Sequence, residues 1–173
     1  MSRRACFTGV LNSTSKVVIT AMRRGLSRSQ GLEEARTLGI TEADPSYDID
    51  GWDSAVKTAA LANVLFGARV RPRDVEPEGI RDITPEYVQS LARDRKQICL
   101  VSRAEWHEWG AVLRTRPEVL DDTDILAAAH GTSNLLLLRT DLMGTVGTVS
   151  IDPGVEQTAY GLFSDLVDIA RTL

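Results

Sequence analysis

The chain has 173 residues and a mass of 18.9 kDa, with 43% hydrophobic and 25% charged residues and a mean hydropathy of -0.11. That balance is of a soluble globular protein and argues against disorder and against a membrane protein. The net charge of -4 is dispersed along the sequence, with no basic stripe for a phosphate backbone, so nucleic acid is not an expected partner.

A length of this order fits one domain, 1–173, able to bury about 70% of its unfolded surface without a metal or disulfide staple. Cys6 and Cys99 both lie in apolar segments and read as a reduced, buried pair, although the count alone permits a disulfide. The basic stretch Met1 to Ala5 is followed by an apolar run too short for a signal peptide or a span, which leaves the cytoplasm as the expected location.

In chain order, Ala5 to Leu11 reads as a short strand closed by Asn12-Ser13-Thr14, all good helix-capping types. Lys16 to Arg24 has helical spacing, with Gly25 as its stop, and a second helix spans Ser29 to Leu38 before Gly39. Ile40 to Gly51 is irregular and acidic. Trp52 to Phe66 is the most apolar helix, ended by Gly67; Arg69 to Ile83 is loop-like, and Thr84-Pro85 opens another helix. Lys96 to Ala104, Trp106 to Arg114, Thr132 to Thr140 and Thr145 to Ile151 read as strands in two hairpins. Glu118 to His130 reads as irregular with one helical turn. A last helix follows Asp152-Pro153-Gly154 and runs to about Leu173, with Leu162, Leu166, Ile169 and Ala170 at core spacing. The expected fold is α+β: a mixed, mostly antiparallel sheet covered by helices on one face, its other face in a dimer interface. Leu135 to Leu138, four consecutive leucines, imply burial on both sides of their strand.

The helix from Trp52 carries the most suggestive chemistry. Asp53 and Lys57 are four residues apart and share a face that continues through Ala60 and Val64, a stripe expected to dive into the interior. A lysine beside a carboxylate in a partly dry pocket can pass a proton. The same spacing also makes an ordinary surface salt bridge at a helix start, where Asp53 suits the dipole. Glu42, Asp44 and Asp48 are open to two readings in the same way, as solvated turn residues or as carboxylates converging on a substrate ammonium. His107 and His130 lack a nucleophile or metal partner at a recognisable spacing and read as structural. Gly144-Thr145-Val146-Gly147 lacks the third glycine of a dinucleotide fingerprint, and no Walker-type loop occurs.

The order of motifs resembles homoserine dehydrogenases. Phe7-Thr8-Gly9-Val10-Leu11-Asn12-Ser13-Thr14 is similar to the family's "G-(V/I)-L-N-G-T" signature. Gly39 to Lys57 resembles its "G-Y-x-E-x-D-P-x-x-D-(x)-x-G-x-D-x-x-x-K" stretch without insertion or deletion. Glu78-Gly79-Ile80 with Ile83-Thr84 resembles "E-G-I…I-T", and Ser164 to Ala170 resembles the closing helix. The resemblance implies a substrate-binding and dimerisation domain acting on aspartate semialdehyde or homoserine. It implies Lys57 as proton donor and acceptor at the substrate oxygen, oriented by Asp53. Glu42 and Asp48 would hold the ammonium end, while Thr14, Ser13 and Ile40 would line the substrate pocket.

The sequence departs from the family in three respects. No nucleotide-binding half is recognisable, so the chain alone binds no cofactor, and NAD or NADP enters only with a separate dinucleotide-binding domain. Ile40 stands at the family's tyrosine and Ser13 at its second glycine. The glycine-rich "G-P-G-A-G" loop reads Asp152-Pro153-Gly154-Val155-Glu156, whose acids would repel a dinucleotide phosphate. Two alternatives stand beside the dehydrogenase reading: a stand-alone enzyme doing redox-free acid–base chemistry on an amino-acid derivative, and a non-catalytic dimeric ligand-binding domain.

Overall fold

A computed structural model of the chain describes residues 6–172. Ala5 and Leu173, expected at the ends of the first strand and last helix, lie outside these residues, as does the basic start. Six strands form one sheet: β1 (Cys6–Val10), β2 (Glu76–Pro77), β3 (Lys96–His107), β4 (Gly110–Asp121), β5 (Asn134–Arg139) and β6 (Thr145–Ser150). Their order is β2-β4-β3-β1-β5-β6, and every pairing is antiparallel except the short parallel one between β2 and β4. The helices are α1 (Ser13–Arg23), α2 (Arg28–Thr37), α3 (Ser46–Ile49), α4 (Trp52–Phe66), α5 (Pro85–Arg93) and α6 (Val155–Thr172). The architecture is the expected α+β, mostly antiparallel arrangement.

Each helix start has a local cause. Asn12 caps α1 by accepting the amide N–H of Ser15, Ser27 and Gln30 form a capping box on α2, and Thr84 accepts from Tyr87 on α5. Helix α4 has no side-chain cap; it starts and ends at Gly51 and Gly67, both left-handed. One helical face of the sheet packs Val18, Met22, Val88, Ile98 and Leu100 between α1, α5 and β3. Beside it, Phe7, Ala104 and Leu113 meet Ala55, Ala59 and Ala62 of α4. Small residues let α4 approach closely, and the hydroxyls of Thr58, Thr115 and Ser102 satisfy one another in the seam.

The opposite face is partly covered by the chain itself. Val10, Cys99, Val101 and Leu135 cluster with Leu126 and Ala129 from a 3-10 turn at Ile125–Ala128 and the residue after it. The leucine run therefore packs on both sides, Leu135 and Leu137 here and Leu136 and Leu138 toward α4. Across the rest of this face Arg103 bonds Glu118 through two nitrogens and also reaches Thr8, a polar surface rather than a bare apolar one.

Four expectations are corrected. The first hairpin turns at Glu108 and Trp109, not at Glu105, and β4 runs on to Asp121, through the start of the segment expected to be irregular. The break falls where His107 stacks on Trp109 at 4.8 Å. The acidic stretch contains a helical turn, α3. Ala60 and Val64 do not lead inward: Val64 is 83% exposed, because α4 buries the neighbouring face of Ser54, Ala55, Thr58, Ala59 and Ala62. Finally, α6 has the anticipated spacing but buries none of its residues; Leu162, Phe163, Leu166 and Ile169 are all exposed. Both cysteines are free, Cys99 buried and Cys6 half-buried.

Candidate active site

Three local structures meet at one end of the sheet: the capped start of α1, the turn from α3 into α4, and the start of α6. The turn is held from beneath. Gly51 adopts φ 84°, and a Cβ on Gly79 would fall 2.0 Å from the carbonyl oxygen of Ile49, so only glycine lets the 78–80 segment approach there. Ile80 N–H then donates to that carbonyl at 2.7 Å. This fixes Asp48 on one side of the turn and Asp53 on the other.

Between the two carboxylates sits Asn12, 2% exposed. Its Nδ2 donates to Asp48 Oδ1 at 2.6 Å and to Asp53 Oδ2 at 2.8 Å. Asp53 Oδ2 also accepts from Lys57 Nζ at 2.8 Å, and the same ammonium donates to the Leu11 carbonyl at 3.2 Å. Thr41 Oγ1 reaches the second oxygen of Asp48 at 3.4 Å. Two carboxylates and one ammonium are therefore linked through a single buried amide.

These groups open onto a cleft of about 590 Å³, lined by Asn12, Ser13, Thr14, Ile40, Asp48, Asp53 and Lys57 on one wall. Thr132, Asn134, Pro153, Gly154, Val155 and Thr158 form the other. Six of the seven anticipated residues, Lys57, Asp53, Asp48, Thr14, Ser13 and Ile40, thus gather in one place. Thr14 Oγ1 donates to the Ile40 carbonyl at 3.1 Å, and Ser13 Oγ to the Thr132 carbonyl at 3.0 Å, which ties the two walls together. Glu42 is the exception: it is exposed, stands outside the lining, and has no hydrogen bond or ion pair among the described residues. The Lys57 side chain is 48% exposed, so the dry setting expected for it is replaced by an open cleft mouth.

Behind the cleft, Lys16 on α1 is 8% exposed and donates to the Ser133 carbonyl. Burial pulls its pKa down to about 8 against the attraction of Cys99 and Asp152, and burial likewise pushes the Cys99 thiol up to about 11. Ser133 Oγ in turn accepts the Asp152 amide at 3.0 Å and donates to its carboxylate at 3.2 Å. Asp152 is thereby held at φ 43° with its acid turned back onto Ser133. The Gly154 amide is taken by Gln157 Oε1 at 2.7 Å, and the Glu156 carboxylate lies beside the same glycine. No group of three or more His, Cys, Asp or Glu side chains among the described residues could hold a metal ion. Among the described residues no helix is long and apolar enough to cross a membrane.

Two residues of this site escape a sequence reading. Asn12 is legible as a helix cap, a job that Ser or Asp does equally well, and as one position of the Gly9 to Thr14 signature, and neither says what its amide touches. Its carboxylate partners are 36 and 41 residues away and leave no local signal. Lys16 falls among the buried positions of α1, where a lysine is itself the anomaly that could have drawn attention.

Comparison with known proteins places the whole chain. The profile of the homoserine dehydrogenase family matches residues 3–167. The chain is 32% identical over 167 residues to an NAD(+)-dependent homoserine dehydrogenase of Pseudomonas canavaninivorans, covering 96% of this chain and 47% of that protein. It is 35% identical over 162 residues to a homoserine dehydrogenase of Methanocaldococcus jannaschii, covering 93% and 47%. The crystal structure of a homoserine dehydrogenase from Thiobacillus denitrificans superposes with a TM-score of 0.86 at 32% identity, covering 98% of this chain and 40% of that one. The chain spans about half the length of these relatives, or less.

Proposed function

This chain belongs to the homoserine dehydrogenase family of oxidoreductases, and on that premise we propose that residues 1–173 act as a single substrate-binding and dimerisation domain, with the cleft taking an amino acid of the aspartate semialdehyde or homoserine type. The observation that carries the reading is the convergence of Lys57, Asp53 and Asp48 on one cleft beside Thr14 and Ile40. The carboxylate of Asp48 faces the substrate ammonium, with the exposed Glu42 of the same segment adding negative charge. Lys57 gives a proton to the carbonyl oxygen in the reducing direction and recovers it from the hydroxyl in the other. Asp53, bonded to Nζ, holds that ammonium in place. Ser13, Thr14 and Ile40 set the shape of the pocket wall.

The described residues do not fit a nicotinamide dinucleotide. The Gly154 amide that would face a phosphate is already bonded to Gln157, and the acid of Glu156 stands next to it. NAD or NADP therefore belongs to a dinucleotide-binding domain outside these residues. The uncovered apolar side of α6 supports a partner there, since the helix begins at the cleft with Val155 and Thr158. The open, polar part of the sheet faces a second copy of the chain, and the biosynthetic setting is the cytoplasm.

Titration of the chain with L-homoserine tests the assignment. Binding to the wild type is expected to weaken at least tenfold in Asp48→Asn, the loss of one charge-assisted contact. Lys57→Met is expected to abolish homoserine-dependent reduction of NAD(P) once a dinucleotide-binding partner is added. Homoserine that fails to bind, or that binds Asp48→Asn as it binds the wild type, overturns the proposal.

A further inference from the structure

We propose that Asn12 is the positioning residue of this cleft: its one amide fixes Asp48 and Asp53 relative to each other, and through Asp53 it places Lys57. The inference rests on the substrate assignment above for its functional arm, while the bridge itself is a structural claim that stands apart.

The orientation of the amide is settled by chemistry. Ser15 N–H is a donor, 2.7 Å from Asn12, so the atom facing it must be the oxygen. The NH2 group then points at the two carboxylates, with one hydrogen for Asp48 at 2.6 Å and one for Asp53 at 2.8 Å. All of this lies in a side chain 2% exposed, where an unmade bond is costly. Without a donor between them, two anions this close would repel and turn apart. Asp53 Oδ2 is shared with Lys57, so a rotation of Asp53 moves the ammonium as well.

Residue choice separates this role from capping. Asp, Ser and Asn cap a helix about equally well. Asp at position 12 would keep the bond to Ser15 and bring a third anion against the other two; Ser would keep a cap but has a single proton to offer, on a shorter side chain, for two carboxylates. Only Asn serves the helix and both carboxylates at once.

Two measurements test this. In nitrogen-edited NMR of the full chain, the two Asn12 side-chain amide protons are expected well downfield of free amides. One is expected to return toward the free position in Asp48→Asn and the other in Asp53→Asn. In parallel, Asn12→Ser is expected to fold and to bind L-homoserine at least tenfold more weakly, with Asn12→Asp melting below Asn12→Ser at neutral pH. Amide protons at free-amide positions overturn the inference, whether or not homoserine binds. So does a set of variants in which Ser and Asp match the wild type in melting and in binding, for that is the behaviour of a cap alone. If homoserine does not bind the wild type, the substrate assignment falls, and the amide signals still decide the bridge.

Discussion

Helices α4 and α6 look alike as patterns and end in opposite surroundings. Both carry enough apolar residues to pack, and α6 has the more regular spacing. Helix α4 turns Ala55, Ala59 and Ala62 onto the sheet, whereas no residue of α6 is buried. The difference is one of shape and partner. Alanines allow a helix to sit close on a sheet whose side chains are already large, such as Phe7 and Leu113. Leu162, Phe163 and Leu166 need a surface that yields to them, and nothing in residues 6–172 supplies one. An apolar stripe states that a helix will be covered and leaves open by what.

The sharpest way to break this contrast is at the α4 seam. Phe7 is 1% exposed and stacks on Phe66 at 5.9 Å, so Phe7→Ala is expected to cost about 3–5 kcal/mol in urea denaturation. A loss below about 1 kcal/mol would show that the seam is looser than the burial implies.

A middle-sized effect reports on the anchor at the base of α6. Lys16, through Ser133, holds the turn that launches that helix. Its folded pKa of about 8 lies below the ordinary 10.5, so across that window the unfolded chain carries more protons and stability rises with pH. Cys99 acts in the other direction: raised from 9.0 to about 11, it lets stability fall as pH climbs through that range. The net expectation is a gain of less than about 1 kcal/mol between pH 8 and 9, the Lys16 gain cut by roughly a third by Cys99, that flattens above it. Lys16→Met removes the gain and leaves the Cys99 decline. Denaturation midpoints at a series of pH values check this, and a flat wild-type profile from pH 8 to 9 contradicts it.

The smallest effect belongs to α6 itself. Leu166 is 65% exposed, so Leu166→Ala is expected to change the stability of the chain alone by less than about 0.5 kcal/mol. If a dinucleotide-binding partner covers this face, the same substitution weakens its association, which pull-down with that partner measures. A large stability loss in the chain by itself would mean that α6 is packed.

Much of the site could be read beforehand, and for a definite reason. Asp53 and Lys57 share a helix face at a separation of four residues, and the Gly39 to Lys57 motif carries Asp48 with them. Their meeting in one cleft is largely a matter of local chain geometry. Glu42 belongs to the same motif, yet its turn leaves it exposed and outside the lining, because backbone direction between Ile40 and Ser46 is not set by any repeating pattern. The inward stripe through Ala60 and Val64 failed similarly: periodicity identifies residues on a common face, and Val64 at 83% exposure shows that it does not say which way the face looks.

What the amino-acid order settles by itself is therefore local. It fixes the succession of the longer helices and strands, the caps at Asn12 and Thr84, the two-sided packing of Leu135 to Leu138, and the i,i+4 pairing of Asp53 with Lys57. These depend on neighbours within a turn or a pleat. Tertiary structure alone decided that Asn12 stands between carboxylates 36 and 41 residues away, that Lys16 is buried behind the cleft, and that α6 remains uncovered. Those outcomes depend on which distant surfaces meet, and burial and hydrogen-bond partners are properties of that meeting, not of the segment that carries the side chain.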